Sequence, residues 1–347
     1  MATLFTEMKM KDVMIPNRMM MSSMCQYSAA SDGVVTDWHR IHYGARAVGK
    51  VGLIMVEATG VEARGRITEH DLGIWNEAHI AGLKEIVDFG HKQGSVMGIQ
   101  LAHAGRKSEI SDKNSIIGPS PISYDDTYTI PREMTKEDIH EVVQSFAAAA
   151  SRADEAGFDI IELHGAHGYL IHSFLSPLSN HRTDEYGGTR ENRLRFLKEI
   201  IEAVKKQWPD NKPIFLRISA TDFTEGGIVI QETIEMIKYI KEWGIDVIDV
   251  SAGGLVPISV DAKPGYLVKY AEQIKQQVGI PTVTVGLISE PEMAEEIIYN
   301  ERADLVALGR ELLRNPYWPL HAAEKLGYDI KWAKQYLRAK HKLPYSR

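Results

Sequence analysis

The sequence predicts a single (β/α)8 TIM barrel with long βα-loop insertions. Short β-branched or aliphatic runs alternate with longer amphipathic stretches eight times over. No composition break, Pro/Ser-rich linker or low-complexity stretch divides the 347 residues, which disfavours two domains and a doubly wound sheet. Two connections, 102–134 and 165–191, are too long for plain βα loops, and long loops leaving the carboxyl ends of strands are where a barrel carries its chemistry.

The strand candidates, in order, are 18–22, 52–57, 95–101, 159–163, 214–218, 247–251, 282–285 and 305–307. Each is a compact apolar run, several preceded by Gly or Pro, as suits strands buried on both faces. Helices are expected near 38–48, 80–93, 135–156, 192–207, 230–243, 266–278 and 291–300, with an eighth near 316–326. Ser289 with Glu292 three residues on reads as a capping box, with Pro291 in the first turn. Thr135 with Asp138 is a weaker version. Gly157, after Asp154-Glu155-Ala156, is placed to take the left-handed position that ends a helix.

Composition removes several functional classes. The chain has 40 Lys+Arg against 47 Asp+Glu, a net charge of −7, which disfavours nucleic acid or an anionic membrane as partner. Its single Cys cannot form an internal disulfide. The N-terminal MATLFTEMKMKDV lacks the apolar core of a signal peptide, and no run approaches the ~18 apolar residues that span a bilayer. A cytoplasmic protein is expected.

Several motif tests fail. Gly-x-Gly is absent, so there is no Rossmann fingerprint. GARAVGKV, Gly44 to Val51, imitates a P-loop, but it ends a helix before a strand, the reverse of the required order. His164 and His167 could each reach a metal, but no third ligand has the spacing of a catalytic zinc site. No metal is expected, and a metal-dependent hydrolase barrel built on these two histidines is the alternative reading.

The richest segment is FDIIELHGAHGYLIHSFLSPLSNHRTDEYGGTRENRLRF, Phe158 to Phe196. A predicted strand runs directly into His164, followed by His167 and Tyr169, which puts two imidazoles and a phenol at the barrel mouth. Neutral imidazoles can donate to a substrate oxygen that gains negative charge, and a phenol is a weak acid suited to protonating a developing carbanion. At the other side of the mouth, the predicted seventh strand runs into Gly286 and the eighth into Gly309-Arg310. Loops after these two strands commonly cradle a phosphate, with Arg supplying a charged fork.

HGAHGYLIHSFLSPLSNHRTDEYGG resembles the Old Yellow Enzyme family of flavin-dependent ene-reductases. MSSMCQYS (Met21 to Ser28), GIQLAHAGRK (Gly98 to Lys107) and ALGRELLRNP (Ala307 to Pro316) resemble its thermophilic-like (YqjM-like) branch. The resemblance spans essentially the whole chain. It implies non-covalent FMN, NADPH or NADH as reductant, and ping-pong reduction of the activated C=C bond of α,β-unsaturated carbonyl or nitro compounds. His164 and His167 would hold the substrate oxygen and Tyr169 would donate the proton. Ser22, Ser23, Met24, Cys25, Ala58, Gln100, Arg217, Gly253, Gly286, Gly309 and Arg310 are implied flavin contacts. Cys25 would tune the flavin, Gln100 would meet its pyrimidine edge, and Arg217 would compensate the charge of the reduced ring. Tyr27, Lys107 and Arg338 are implied substrate-side residues. Relatives often carry Pro where this chain has Ser23. A homodimer or homotetramer is implied, with the segment from about 327 to 347 contributing an interface and Arg338 reaching a neighbouring site.

Overall fold

The computed structural model describes residues 3–340. Eight parallel strands close into a barrel, each followed by a helix: β1 (Met19–Met21), α1 (Asp37–Val48), β2 (Leu53–Gly60), α2 (Ala78–Gln93), β3 (Val96–Ala102), α3 (Lys136–Glu155), β4 (Ile160–Gly165), α4 (Arg190–Lys205), β5 (Ile214–Ser219), α5 (Ile230–Glu242), β6 (Val247–Ser251), α6 (Val268–Val278), β7 (Thr282–Thr284), α7 (Pro291–Tyr299), β8 (Leu305–Leu308) and α8 (Trp318–Leu326). Strand β8 pairs with β1, Val306 opposite Met19, which closes the ring. All eight predicted strands are present.

Alternation along the strands separates two apolar compartments. One lies between strands and helices. The other fills the barrel with Met20, Leu53, Met55, Val96, Ile160, Phe215, Val247, Val283 and Leu305. Beneath it, a hairpin of Met8–Met10 and Val13–Ile15 inserts Met10 and Ile15 into the same cluster. Lys11, at the hairpin turn, pairs with Asp246 at 2.9 Å. The hairpin was not legible in the sequence, because its three-residue strands are too short to show a period.

The cap readings divide. Thr135 accepts from the Asp138 N–H at 3.2 Å and donates its own N–H to the Asp138 carboxylate at 2.8 Å, so that box is formed. Gly157 takes φ +90° just past the end of α3. Ser289 is not a cap. Pro291 occupies the start of α7, which makes Glu290 the N-cap, and the Ser289 carbonyl instead accepts from Trp318 Nε1 at 2.7 Å. The P-loop mimic lies across the end of α1, as its order required.

The two long connections are built. Residues 103–135 carry a two-stranded parallel sheet, Ile117–Gly118 with Arg132–Glu133. Residues 166–189 carry a short helix, Leu170–Leu175. Buried Arg106 ties the first connection to the loop after β6, donating to Ser123 O at 3.1 Å and Leu255 O at 2.6 Å.

Because the barrel interior is plugged from below, Ile15→Ala should destabilise the protein by about 2–5 kcal/mol. A thermal or denaturant melt unchanged from wild type would show that the hairpin is not part of the core.

Candidate active site

Above its apolar filling, the barrel turns polar. Gln100 sits opposite Glu162 across β3 and β4, and Arg217 opposite Asp249 across β5 and β6. Arg217 is 6% exposed, and its charge is compensated from two sides. Its Nε lies 3.3 Å from Asp249 Oδ2, and its Nη1 donates to Ser22 Oγ at 2.9 Å and Ser23 Oγ at 3.0 Å. Ser23 thus contributes a hydroxyl that a proline there would lack.

The loop after β4 brings His164, His167 and Tyr169 into one cluster. The two imidazole centroids are 5.1 Å apart, and His164 and Tyr169 are 4.9 Å apart, both edge to face. Burial, with the Arg217 charge adding, holds both imidazoles well below the ordinary histidine range, so they are neutral. Burial likewise raises the Tyr169 phenol, so it keeps its proton. His167 Nε2 lies 2.6 Å from Ser251 Oγ, which orients this ring from β6. His164 Nδ1 is buried without a partner.

The backbone here is strained into place. His167 has φ +60° and Gly168 φ +77°. A Cβ on Gly168 would approach Gly254 O to 2.4 Å, so only glycine lets the two loops meet. Lys107 fastens the same junction, donating to His167 O at 3.0 Å and Gly254 O at 3.2 Å. Its ammonium lies 4.2 Å from the Tyr124 ring centre and 5.1 Å from that of Tyr169. Burial pushes Lys107 down to about 8.

Cys25 and Tyr27 follow β1. Burial raises both groups, and each is a hydrogen-bond neighbour of the other, so the thiol is not a ready nucleophile. Their loop is anchored by Glu57 of β2, which accepts from the Gln26 N–H at 2.7 Å and from the Tyr43 hydroxyl at 2.9 Å. Burial pushes Glu57 up to about 7. Sequence reasoning missed Glu57, Glu162 and Asp249. Their signal was an acidic residue inside an apolar strand, which needs a buried partner.

Two connected cavities cover this floor. One, of about 350 Å³, is lined by Ser22, Ser23, Met24, Cys25, Tyr27, Ala58, Gln100, His164, His167, Tyr169 and Arg217. The other, of about 410 Å³, reaches out past Tyr266, Gly286 and Ser289. Arg217, Val285, Gly309 and Arg310 line both. The Arg310 side chain has no hydrogen bond or ion pair among the described residues, so a cation stands at the junction without an anion. Gly286, at φ +132°, keeps the β7 turn close to the Tyr266 ring. The trough suits a planar polar ring at one end and an anionic tail at the other, which are the two parts of FMN.

A model of the NADH:flavin oxidoreductase / NADH oxidase family matches residues 3–329. The chain belongs to this family. It is 53% identical over 336 residues to an NADPH dehydrogenase of Geobacillus thermodenitrificans, spanning 96% of this chain and 98% of that one. Among solved structures, morphinone reductase matches with TM-score 0.80 at 27% identity, over 95% of this chain and 91% of that one. An old yellow enzyme homologue from Zymomonas mobilis matches with TM-score 0.81 at 26% identity, over 98% and 100%. The protein is an FMN-dependent oxidoreductase with reduced nicotinamide as electron source, of the Old Yellow Enzyme type that its motifs resembled.

Three of the anticipated residues stand apart from the flavoenzyme's cavities. Lys107 clamps backbone. Gly253, at φ +70°, accepts from Ser219 Oγ at the end of β5 at 2.9 Å. Arg338 is exposed on the short 3-10 helix Lys334–Ala339 and lines neither cavity. The remaining tail, 341–347, lies outside the described residues. No group of three or more His, Cys, Asp or Glu able to hold a metal occurs among the described residues. The family match does not favour the hydrolase reading of His164 and His167.

If Arg310 holds the flavin phosphate, Arg310→Ala should weaken FMN binding by about ten- to a hundredfold, the worth of a charge-assisted contact. Fluorescence titration of flavin-free protein measures this, and an unchanged Kd would place the phosphate elsewhere.

Proposed function

We propose that this flavoenzyme is an ene-reductase that reduces the activated C=C bond of α,β-unsaturated carbonyl or nitro compounds. The observation that carries the reading is the cluster of two neutral imidazoles and one protonated phenol lining the ring cavity. Such a set binds an oxygen that becomes more negative and supplies one proton beside it.

Ser22, Ser23, Met24, Cys25, Ala58, Gln100 and Arg217 would hold the flavin ring, and Gly286, Gly309 and Arg310 its phosphate. The chemistry supplied by bound FMN is two-electron transfer in alternating half-reactions, hydride in from NADPH or NADH and hydride out to the substrate β-carbon. His164 and His167 bind the carbonyl or nitro oxygen and polarise the double bond. Their neutrality makes them hydrogen-bond donors without adding charge to the mouth. Tyr169 gives its hydroxyl proton to the substrate α-carbon. Tyr27, at the half-open rim, contacts the substrate. Two visitors using one site in turn need no second nucleotide-binding domain.

The outer face of α1 and α2 supports a homodimer or homotetramer. Ile41 is 70% exposed there, Trp38 and Phe89 of the same helices are exposed, and so are Tyr336 and Leu337 of the C-terminal 3-10 helix. Ile41, Phe89 and Tyr336 border a groove of about 470 Å³. Arg338 follows this patch in the chain, where a neighbouring copy would meet it. A monomer in analytical ultracentrifugation at working concentration would contradict the assembly. No helix among the described residues is long and apolar enough to cross a membrane, and the single cysteine agrees with a cytoplasmic enzyme acting on small molecules.

Identifying the chromophore released by heat tests the cofactor, and stopped-flow of the separate half-reactions tests the roles. Tyr169→Phe should slow alkene reduction by about 10²- to 10⁴-fold while sparing flavin reduction by NADPH. Equal loss in both halves would remove Tyr169 as the proton donor. Because the imidazoles are lowered and the phenol raised, neither changes protonation between about pH 6 and 10, and the alkene half-reaction should show no limb from them in that window. An alkaline limb below pH 10 that disappears in Tyr169→Phe would contradict this assignment. His164→Ala should weaken binding of a phenol, whose phenolate mimics the developing enolate, by about tenfold or more. Unchanged affinity would take His164 out of the oxygen site.

A further inference from the structure

Gln100, Glu162, Arg217 and Asp249 come from four consecutive strands and form one polar layer over the apolar barrel interior. Gln100 and Arg217 line the ring cavity, whereas Glu162 and Asp249 do not. The two acids are fully buried beneath them. Gln100 Nε2 donates to Glu162 Oε1 at 2.7 Å. Asp249 stands against the Arg217 guanidinium at 3.3 Å.

The layer does not balance if both acids are ionised. Two buried anions would face one guanidinium, and Glu162 Oε2 and both Asp249 oxygens are buried without a hydrogen-bond donor. Unsatisfied buried acceptors and uncompensated buried charge are both costly. The two acids are hydrogen-bond neighbours, so one proton removes both problems. A Glu162 hydroxyl donates to Asp249, and Asp249 keeps its negative charge for Arg217. The direction follows from the surroundings. Burial, reinforced by the Asp249 charge, raises Glu162 well above the carboxylate range. Burial also raises Asp249, but Arg217 opposes the rise, and Asp249 is the acid beside the cation.

We propose that Glu162 and Asp249 are positioning residues that hold one proton between them and, through Gln100 on one side and Arg217 on the other, set the charge balance under the flavin ring and hence its reduction potential. Glu162 fixes the Gln100 amide, because its Oε1 accepts one amide proton and leaves the rest of that amide for the cavity. Asp249 fixes the guanidinium from the Nε edge, while the Ser22 and Ser23 hydroxyls fix it from Nη1. The floor under the ring is thereby neutral overall. The proposal rests on FMN binding over this floor.

The test compares Glu162→Gln and the Glu162→Gln/Asp249→Asn double variant in the FMN-loaded protein by reduction potential against a reference dye, and in the FMN-free protein by infrared difference spectroscopy. With Glu162→Gln present so that the second acid cannot ionise in its place, Asp249→Asn leaves the Arg217 charge uncompensated and should favour the reduced flavin tenfold or more, an upward midpoint shift of at least about 30 mV for two electrons. Glu162→Gln mimics the protonated acid and keeps both of its hydrogen bonds, so its reduced-to-oxidised balance should stay within threefold of wild type. The wild-type minus Glu162→Gln spectrum should contain the carbonyl stretch of a buried carboxylic acid. A tenfold or larger shift in Glu162→Gln, or the absence of that band, would overturn the shared proton, and either reading stands if the double variant fails to fold. A potential of the Glu162→Gln/Asp249→Asn double variant equal to wild type would overturn the tuning. Failure of the protein to bind FMN would instead contradict the flavin reading, and the infrared band still decides the proton.

Discussion

Arg217 carries a permanent charge at the mouth of an otherwise apolar barrel, and much of the surrounding structure follows from keeping that charge compensated. Asp249 meets it from the next strand, and Ser22 and Ser23 meet it from across the ring at the end of β1. These contacts link β1, β5 and β6, so the charge also fixes where the first strand's loop departs. That loop carries Cys25 and Tyr27, and Glu57 holds it from the other side. The apolar plug below makes the arrangement possible, because it excludes water from beneath a layer whose hydrogen bonds are then made within the protein.

The same charge acts upward. Burial is the largest cause that depresses the two imidazoles, and Arg217 is the next contributor for both. A cation that suits a flavin ring gaining negative charge therefore also keeps His164 and His167 neutral. Their rings are set by backbone: the Gly168–Gly254 junction, the Lys107 clamp and Ser251 give the loop after β4 little choice of shape. Tyr169 follows directly on that junction, so the proposed proton donor and the proposed oxygen site are positioned by one loop.

The barrel was legible because its strands are buried on both faces and written as dense apolar runs, and because the helices show a 3.6-residue period. Boundaries were less so. Pro291 set the start of α7 one residue later than Ser289 suggested. The bottom hairpin and the helices Leu170–Leu175 and Arg310–Arg314 were too short to carry a period. In the site, residues at strand ends could be read from position, as with His164, Arg217 and Gly309. Lys107 could not, since nothing in its sequence shows that its ammonium ends on two carbonyls of distant loops. Glu162 and Asp249 lie two residues before His164 and Ser251 on the same inward face. Alternation along a strand puts each acid on the same face as its neighbour two residues on, but only the assembled barrel shows that the two acids meet each other.

In the proposed reaction, one site alternately accepts electrons from a nicotinamide and passes them to an activated alkene. An anaerobic absorbance titration of the purified holoprotein tests it most directly. The account predicts that one equivalent of NADPH bleaches the flavin band and that one equivalent of cyclohexenone then restores it, with the saturated ketone as product. A protein without a flavin band, or a bleached one that cyclohexenone and a nitroalkene both leave unchanged, would contradict it.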